Sequence, residues 1–266
     1  MTDAYIAKGL GSEGVPSQLS RSVASDALHN VASKPLFRIT TAQHNSKIDP
    51  AVVQQLCRAS HDADERQMNA YVSELLKQGV PRMALIEDYI PATARDLGDQ
   101  WLADHLSFVQ VSIGAARLQA ALRGLYAALP RQVLDVGLQL AVITPPDEQH
   151  TIGTIIVGNT LRLAGHTVWL ATGFHDYEIV ERLARRDFDA ILVSIAQERN
   201  LAKLPLFLER VRAACHQPVS LYVGGCALER LSTAERSTLG ADLVTSDMEQ
   251  VTRHLAATTE MKKQKT

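Results

Sequence analysis

The stretch Leu138-Gln-Leu-Ala-Val-Ile-Thr-Pro-Pro-Asp-Glu-Gln-His-Thr-Ile-Gly153 decides the fold of this chain. Its first seven residues form an apolar run of the length of a buried strand, and the two prolines that follow end it. After a polar loop, residues 152–164 carry apolar side chains at the spacing of a helix. A buried strand, a loop and a helix are the first part of a βαβ unit, which predicts a parallel sheet covered by helices.

The same alternation of strand and helix continues toward the C-terminus. Further short apolar runs lie at 167–171, 190–195, 219–223 and 241–244. Helical spacing is found between them, at 176–186, 201–215 and 233–239, and again at 248–255. These patterns predict an α/β domain over residues 136–257, with a five-stranded parallel sheet of the Rossmann-like (flavodoxin-like) type. In such sheets the loops at the carboxyl ends of the strands bind ligands.

Residues 48–130 have a different pattern, with apolar residues at helical spacing. Asp49 and Pro50 are typical of an N-cap followed by proline at the first helical position. Three further helices are expected, ending near Gly79, near Trp101 and before Pro130. Four amphipathic helices with short connections predict an antiparallel four-helix bundle that precedes the sheet.

The two ends of the chain lack such patterns. Residues 1–47 are rich in Ser, Gly and Ala without a sustained apolar period, which predicts a flexible or disordered arm. A partner-binding arm is the functional alternative for this segment. Residues 258–266 are expected to form a flexible, solvated basic tail.

Charge and cysteine content argue against several classes of protein. With 27 basic and 29 acidic residues, the net charge of −2 argues against a broad basic face for nucleic acid. Three cysteines far apart, without a Cys-x-x-Cys motif, argue against a disulfide framework or a zinc finger and fit a reducing compartment. The first residues lack the pattern of a signal peptide, and no run approaches the roughly 18–20 apolar residues of a membrane span. We therefore predict a cytoplasmic protein that does not enter a membrane.

The sequence also lacks several common catalytic motifs. It contains no Walker loop, no nucleophile elbow and no His-Glu-x-x-His. Asp135 and Asp147 could form a paired-carboxylate site for acid/base chemistry, but no substrate-shaped set of groups accompanies them. We therefore expect no catalysis by this chain alone.

A histidine and an acidic residue follow the first predicted strand. His150 faces the expected crevice, and Glu148 can accept a hydrogen bond from one of its ring nitrogens and so fix the tautomer of the imidazole. Gly153 opens the next helix and lets a bulky ligand approach the backbone. Small residues also end the third and fourth predicted strands, at Ser194-Ile195-Ala196 and at Gly224-Gly225-Cys226.

The series Glu148-x-His150-x-x-Gly153, Ser194 and Gly224-Gly225 resembles the cobalamin-binding signature Asp/Glu-x-His-x-x-Gly, Ser-x-Leu and Gly-Gly. That family also places a four-helix domain before a Rossmann-like domain, so the resemblance covers about residues 50–257. It implies that His150 replaces the cofactor's dimethylbenzimidazole as the lower axial ligand of cobalt, with Glu148 as its hydrogen-bonding partner. Neutral imidazole is a suitable ligand for this metal.

Further cofactor contacts are implied by the same resemblance. Residues at the ends of the first, third and fourth strands would contact the cofactor: Thr151, Ile152, Gly153, Ser194, Gly224 and Gly225. The last three would line a slot for the displaced nucleotide tail. Ala196 holds the place of the leucine in Ser-x-Leu, which is expected to alter the packing around the tail without abolishing binding.

The helical domain resembles a second segment of this family. In CarH-type photoreceptors a Trp, then nine residues, then Glu-His cap the upper face of the corrin. Trp101 is present here, but Val111-Ser112 replaces Glu-His, so the hydroxo or aquo form of cobalamin is expected rather than the adenosyl form. Phe108 and Val111 would contact the cofactor beside Trp101, although Trp101 could instead belong to the bundle core. His105 is expected to be exposed, with an approach to the upper face of cobalt as the alternative.

The pattern is closer to AerR/PpaA-type antirepressors, which resemble CarH but lack its DNA-binding domain. That resemblance implies a sensory regulator that antagonises a PpsR/CrtJ-type repressor of photosynthesis genes in response to light, oxygen or cobalamin, without direct nucleic-acid binding by a dedicated domain. Three alternatives remain: a corrinoid shuttle of a methyltransferase system, a haem-binding regulator on the same fold, and a partner-binding module with an empty pocket. Cys226 could be a redox-sensitive thiol, a haem ligand or a small core residue.

Overall fold

The computed structural model of the protein describes residues 48–131 and 137–263. The predicted arm at 1–47, the expected domain start at 136 and Asp135 lie outside the described residues, as do residues 264–266. Within the described part, a helical bundle is followed by a parallel sheet covered by helices. This order confirms the predicted fold class, a four-helix bundle followed by a Rossmann-like α/β domain.

The main helices of the bundle are α1 (Pro50–His61), α2 (Arg66–Lys77), α3 (Ile90–Leu102) and α4 (Phe108–Ala127). Asp49 caps α1 as predicted, because its side chain accepts a hydrogen bond from the backbone N–H of Ala51 at 2.9 Å. Ser107 caps α4 and forms a capping box with Gln110. Polar caps therefore set where the first and last helices of the bundle begin.

The chain enters α3 through a widened helical turn. A short helical segment, Arg82–Ala84, is followed by a π-helical turn at Leu85–Tyr89 that runs directly into α3. Pro91 accounts for the widening, because it has no N–H to donate to the carbonyl of Glu87 and its ring would clash with that carbonyl in a regular helix. The proline changes the geometry of the predicted third helix without ending it.

Helix α4, with 20 residues, is the longest of the described helices. Its inner face buries Leu118 and Leu122 completely in the bundle core. Helix α3 approaches closely at Gly114, where an added Cβ atom would lie 2.9 Å from Leu97 Cδ1. Neither α4 nor any other described helix has both the length and the apolar character needed to cross a membrane.

The sheet consists of five parallel strands, β1 (Gln139–Ile143), β2 (Thr167–Ala171), β3 (Ala190–Ser194), β4 (Ser220–Gly224) and β5 (Leu243–Val244). Their order is β2-β1-β3-β4-β5, the flavodoxin-like arrangement. Strands β1 and β3 pair directly, with Ile143 opposite Val193. Both strands are almost entirely buried, which is what their continuous apolar runs predict.

The helices of this domain are α5 (Ile152–Leu163), α6 (Asp176–Ala184), α7 (Leu204–Ala214), α8 (Thr233–Ser237) and α9 (Met248–Lys263). Helices α5 and α9 pack on one face of the sheet through side chains such as Val157 and Val251. Helices α6 and α7 pack on the other face through side chains such as Ile179 and Phe207. The sheet is therefore covered on both sides, as a parallel sheet requires.

The last helix extends further than the sequence predicts. A flexible tail from residue 258 is wrong for residues 258–263, which continue α9. Thr259 is buried, and Lys262 Nζ lies 2.8 Å from Asp189 Oδ2. At least one of the basic residues that suggested a solvated tail therefore holds the helix against the sheet domain.

Helix α5 joins the two domains. One side of it belongs to the sheet domain, whereas Ile155 and Ile156 are buried in the same apolar cluster as the bundle core. The hydroxyl of Tyr126, on α4, donates to the carbonyl of Ile156 at 3.1 Å and lies 3.0 Å from Thr160 Oγ1. The bundle is thus anchored along α5, whose N-terminus adjoins the loop that carries His150.

Candidate functional site

The strand order of the sheet reverses at β1, which lies between β2 and β3. Loops that leave β1 and β3 diverge there and open a crevice at the carboxyl edge, where flavodoxin-like sheets bind ligands. The loop at residues 144–151 follows β1, and residues 195–197 follow β3. Residues of α3, α4 and α5 border the same crevice.

Glu148 and His150 form a buried pair on the loop after β1. The side chain of Glu148 is almost fully buried, with 3 % of the residue exposed. Its Oε1 accepts a hydrogen bond from the backbone N–H of His150 at 3.0 Å and lies 2.6 Å from His150 Nδ1. Because an ionised carboxylate can only accept, Nδ1 carries a proton, and in the neutral form of the imidazole the lone pair is then on Nε2.

The second carboxylate oxygen of Glu148 ties this loop to β3. Glu148 Oε2 accepts hydrogen bonds from the backbone N–H groups of Ala196 at 3.0 Å and Gln197 at 2.9 Å, and from Asn200 Nδ2 at 3.3 Å. Burial alone would raise the pKa of Glu148, but the hydrogen bonds and charge of His150 and the backbone donors outweigh it and lower the pKa. The carboxylate therefore stays ionised and holds the imidazole in one orientation.

The other ring nitrogen of His150 has no partner. His150 Nε2 is buried and forms no hydrogen bond. The residue borders a cavity of about 100 Å³ between the bundle and the carboxyl edge of the sheet. The bundle helices and the sheet domain both line this cavity: Pro91, Ala94, Leu97, Val111, Ala115, Gln119, Gln149, His150, Thr151, Ile152, Gly153, Ala196 and Cys226.

The cavity brings together five of the residues that the sequence predicts for the site. They are Val111 from α4 and His150, Thr151, Ile152 and Gly153 from the loop and the start of α5. Gln119 lies across from this loop and donates from Nε2 to Thr151 Oγ1 at 3.0 Å. Most of the lining from α3 and α4 is apolar, so the bundle borders the crevice mainly with apolar side chains.

Trp101 and Phe108 are not among the residues that line the cavity. Trp101 is half-buried and packs against the bundle core, which was the alternative for this residue. Phe108 is 67 % exposed, because it is the first residue of α4 and helical side chains tilt toward the N-terminus, away from the cavity-lining Val111. His105 is exposed.

Ser194 and Gly224 line a second, much smaller cavity. It has a volume of about 10 Å³ and lies between the sheet and helices α5 and α9. The buried side chains of Tyr222 and Val157 also line it. A nucleotide tail would have to widen this space, because ligand pockets generally measure hundreds of cubic ångströms, roughly 300–1,000 Å³.

Gly225 has a structural role that the motif does not reveal. Its φ of +117° is one that side chains rarely adopt, and an added Cβ atom would lie 1.9 Å from the carbonyl oxygen of Ile195. The ends of β3 and β4 are joined at this point, since Ile195 donates from its N–H to the carbonyl of Gly224 at 2.8 Å. The glycine therefore permits the close approach of two strand ends at the crevice.

Two sequence candidates have environments that argue against the chemistry considered for them. Burial raises the pKa of Cys226 to about 11, which favours the neutral thiol at physiological pH and argues against a reactive thiolate. Asp147 is exposed and pairs with Lys203 at 2.5 Å. An exposed ion pair of this kind does not make a general base.

The residues that sequence reasoning missed include Gln197 and Asn200. They belong to the polar run Gln197-Glu198-Arg199-Asn200, which directly follows a buried strand. That position at a carboxyl strand end was the one signal that could have marked them. Their contacts with Glu148 arise only because β1 and β3 are neighbours in the sheet.

Glu87, in the π-helical turn before α3, is a further ionisable group at the domain boundary. Its Oε1 is buried and forms no hydrogen bond. Burial, and to a lesser extent the charge of Asp88, raises the pKa of Glu87 to about 7. Besides burial, the charge of Glu87 raises the pKa of Tyr126, whose hydroxyl donates a hydrogen bond to a backbone carbonyl of α5.

Glu87→Gln is expected to stabilise the protein more at pH 8 than at pH 5. The folded protein keeps the proton of Glu87 up to about pH 7, whereas the unfolded chain loses it near pH ~4.3. The stabilisation that this proton provides is complete below the pKa of the unfolded chain. It is lost as the pH rises through the pKa of the folded protein. Glutamine carries no charge and does not undergo this loss. In thermal unfolding, the gain in Tm should be larger at pH 8 than at pH 5 by about 2 °C or more.

The exposed Glu65 provides the control for this measurement. Glu65→Gln is expected to shift Tm by the same amount at both pH values. An equal pH dependence for the two variants would contradict the burial of an ionisable Glu87.

Comparisons with known proteins bear on both the family and the fold. No family model matches the chain. One curated relative, the uncharacterized 20.5 kDa protein in the bchF-crtJ intergenic region of Rhodobacter capsulatus, is 30 % identical over 185 residues. The match covers 68 % of this chain and 95 % of the relative. The chain belongs to the family of that protein.

Among solved structures, the monomethylamine corrinoid protein of Methanosarcina barkeri has a TM-score of 0.60 and 17 % identity, covering 77 % of this chain and 97 % of its own. At that identity the likeness shows the fold alone, a helical bundle followed by a Rossmann-like domain. A cobalamin-binding protein from Desulfitobacterium hafniense DCB-2 aligns over 80 % of this chain and 99 % of its own at 17 % identity, but its TM-score of 0.36 is too low to argue from.

Proposed function

We propose that the protein is a cobalamin-binding sensory regulator that acts on another protein and catalyses no reaction of its own. The observation that carries the proposal is the state of His150, whose Nδ1 is held by Glu148 while its Nε2 is buried without a partner. An imidazole held in this way offers one lone pair in a fixed direction, which is the arrangement of a metal ligand.

The donor set suits a corrinoid better than a bare metal ion. Among the residues that the structure describes, no group of three or more His, Cys, Asp or Glu side chains could hold a metal ion. A corrin ring supplies four nitrogen ligands of its own, so one protein imidazole is sufficient at an axial position. The fold shared with a monomethylamine corrinoid protein supports this choice.

The residues at positions 111 and 112 favour a small upper ligand. Val111 is buried and borders the cavity, whereas Ser112 is exposed and donates its hydroxyl to the carbonyl of Phe108. Neither residue offers the carboxylate and imidazole that hold an adenosyl group in the CarH-type photoreceptors. Hydroxocobalamin or aquocobalamin is therefore the proposed form.

Binding would change the contact between the two domains. The cavity of about 100 Å³ is far smaller than a corrin ring, so parts of α3 and α4 must move away from the loops after β1 and β3. The contacts of Tyr126, Ile155 and Ile156 would keep the bundle attached to α5 during that movement. Cobalt in the bound cofactor supplies a centre whose upper ligand responds to light and redox state. A partner that distinguishes the two bundle positions would read this state.

A repressor of the PpsR/CrtJ type is the proposed partner. The relative of this chain is encoded between bchF and crtJ, and the position beside crtJ supports a regulator of the CrtJ protein. In this proposal the chain acts in the cytoplasm as an antirepressor of photosynthesis genes, through protein contacts rather than through its own nucleic-acid contacts.

The experiment is an absorption spectrum of the purified full chain, as isolated and after addition of hydroxocobalamin, in the dark and after illumination. Co-elution of the loaded protein with a CrtJ-type repressor is then measured. Corrinoid bands that remain after gel filtration, and repressor binding that depends on loading, are the expected results. A Soret band in the protein as isolated would favour the haem alternative, and absence of any chromophore uptake would overturn the proposal.

A corrinoid shuttle is the second candidate, favoured by the fold of the monomethylamine corrinoid protein. It would need an open upper face for methyl transfer, and the loss of Glu-His at Val111-Ser112 is compatible with that. The two functions differ in what the loaded protein does next. Transfer of a methyl group from the methylated, loaded protein to an acceptor in the presence of a partner methyltransferase, without any effect on a repressor, would favour the shuttle.

A further inference from the structure

Two buried donors near the crevice have no hydrogen-bond partner, and the ligand argued for them rests on the proposed binding of a corrinoid. Among the described residues, the buried side-chain atoms without a hydrogen-bond partner include Arg95 Nη1 and Gln197 Nε2. Arg95 belongs to the bundle and Gln197 to the carboxyl end of β3. The two donors therefore belong to the two domains that border the cavity, each next in sequence to a residue that lines it, Ala94 and Ala196.

Arg95 lies beside the cavity on α3. Its chain neighbour Ala94 lines the cavity, and its guanidinium interacts electrostatically with Cys226, which lines the cavity from the opposite wall. Burial lowers the pKa of Arg95, although the charge of Asp99 opposes this effect. A buried guanidinium N–H without an acceptor is costly, so the site is completed when an acceptor arrives.

Gln197 lies directly behind the His150 pair. The residue is fully buried, and its backbone N–H donates to Glu148 Oε2 at 2.9 Å. Its side-chain oxygen accepts from Arg199 Nε at 2.8 Å. Because Arg199 Nε can only donate, this contact identifies the oxygen end of the amide and leaves Nε2 as the donor without a partner.

Both groups require acceptors of the same kind. The rim of a corrin ring carries acetamide and propionamide groups, whose carbonyl oxygens are neutral acceptors. We propose that Arg95 Nη1 and Gln197 Nε2 donate hydrogen bonds to peripheral amide carbonyls of the bound corrinoid, one from each wall of the crevice. The corrin ring then links the two domains through its rim as well as through the imidazole of His150.

The test compares the affinity of the full chain for hydroxocobalamin in Arg95→Met and Gln197→Met. Loss of a hydrogen bond from a charged donor corresponds to about 10-fold or more in affinity, and loss of one from a neutral amide to about 2- to 10-fold. Arg117→Met is the matched control, because Arg117 Nη1 donates to the carbonyls of Ser60 and Asp62 within the bundle. Its affinity for hydroxocobalamin should equal that of the wild type.

A second readout separates a ligand contact from a structural role. Arg95→Met removes a buried N–H without a partner together with the charge interaction of Arg95 with Asp99, so a ligand contact is indicated by a fall in affinity whatever the change in the Tm of the ligand-free protein. A fall in Tm together with unchanged affinity would identify a structural residue and overturn the inference. Wild-type affinity in both Arg95→Met and Gln197→Met would overturn it as well.

Cobinamide distinguishes the amide oxygens from the phosphate of the nucleotide tail, which is the other oxygen acceptor on cobalamin. It keeps the peripheral amides and lacks the phosphate. The two variants are expected to lose the same factor in affinity for cobinamide as for cobalamin, and a loss confined to cobalamin would overturn the amide assignment. If the wild type binds neither corrinoid, the proposed function itself fails.

Discussion

Gly225→Ala is expected to lower the free energy of unfolding by about 3 kcal/mol or more, the combined scale of backbone strain and overpacking. The φ of +117° at this residue is strained for any side chain. The added Cβ atom would also lie 1.9 Å from the carbonyl oxygen of Ile195 and 2.7 Å from its carbonyl carbon. Both are backbone atoms of the segment that joins β3 to β4, so they cannot turn aside as a flexible side chain does.

Urea unfolding of the wild type and the variant measures this effect. Gly240→Ala is the matched control, because Gly240 has a φ of +77° but no atom within 4 Å of the added Cβ position. In the control, the free energy of unfolding should fall only by the cost of placing a side chain on a left-handed backbone, about 1–2 kcal/mol. Equal losses in the two variants would show that the contact with Ile195 does not contribute.

His150→Ala is expected to weaken the binding of hydroxocobalamin by about 100-fold or more, since loss of even an outer partner of a metal ligand costs roughly 10- to 100-fold. Among the described residues at the cavity, only His150 has one ring nitrogen against a carboxylate and the other buried without a partner. The variant removes this side chain. Under the proposed function, the visible bands of the bound corrinoid should shift as well, because the imidazole of His150 would no longer be available to cobalt.

Glu148→Gln tests the second part of the same arrangement. Its carboxylate accepts hydrogen bonds from His150, Ala196 and Gln197, and an amide group would present N–H to one of these donors. We expect a smaller loss in affinity, roughly 10- to 100-fold. The exposed His105 supplies the control, since His105→Ala should leave the affinity and the spectrum unchanged. Spectra of His150→Ala and wild type that coincide would contradict the assignment of His150.

The secondary structure could be predicted where the apolar period is strong. The strands β1 and β3 and the cap at Asp49 agree with the prediction, because each depends on residues that are neighbours along the chain. The tail predicted from residue 258 was wrong through residue 263, because the contact of Lys262 with Asp189 spans 73 positions in sequence. A charged side chain that suggests solvent exposure in the sequence can instead form an ion pair with a residue far away along the chain.

The candidate site divides in the same way. Glu148 and His150 could be paired from the sequence, because they lie two residues apart on one loop after a predicted strand. Gln197 and Asn200 could not, because they reach Glu148 from 49 and 52 positions away. Arg95 was missed for a further reason, since an arginine on an amphipathic helix is usually exposed and nothing local reveals an unpartnered N–H.

The sequence by itself determined the order of the two domains, the strands of the sheet and the Glu148–His150 pair, since all of these depend on local periodicity and short spacing. Only the tertiary structure decided that Phe108 lies outside the cavity, that Gly225 is required by the carbonyl of Ile195, and that Arg95 Nη1 and Gln197 Nε2 are buried without hydrogen-bond partners. The physical reason is that these properties depend on how α3 and α4 pack against the edge of the sheet. That packing is set by contacts between distant parts of the chain rather than by any single segment.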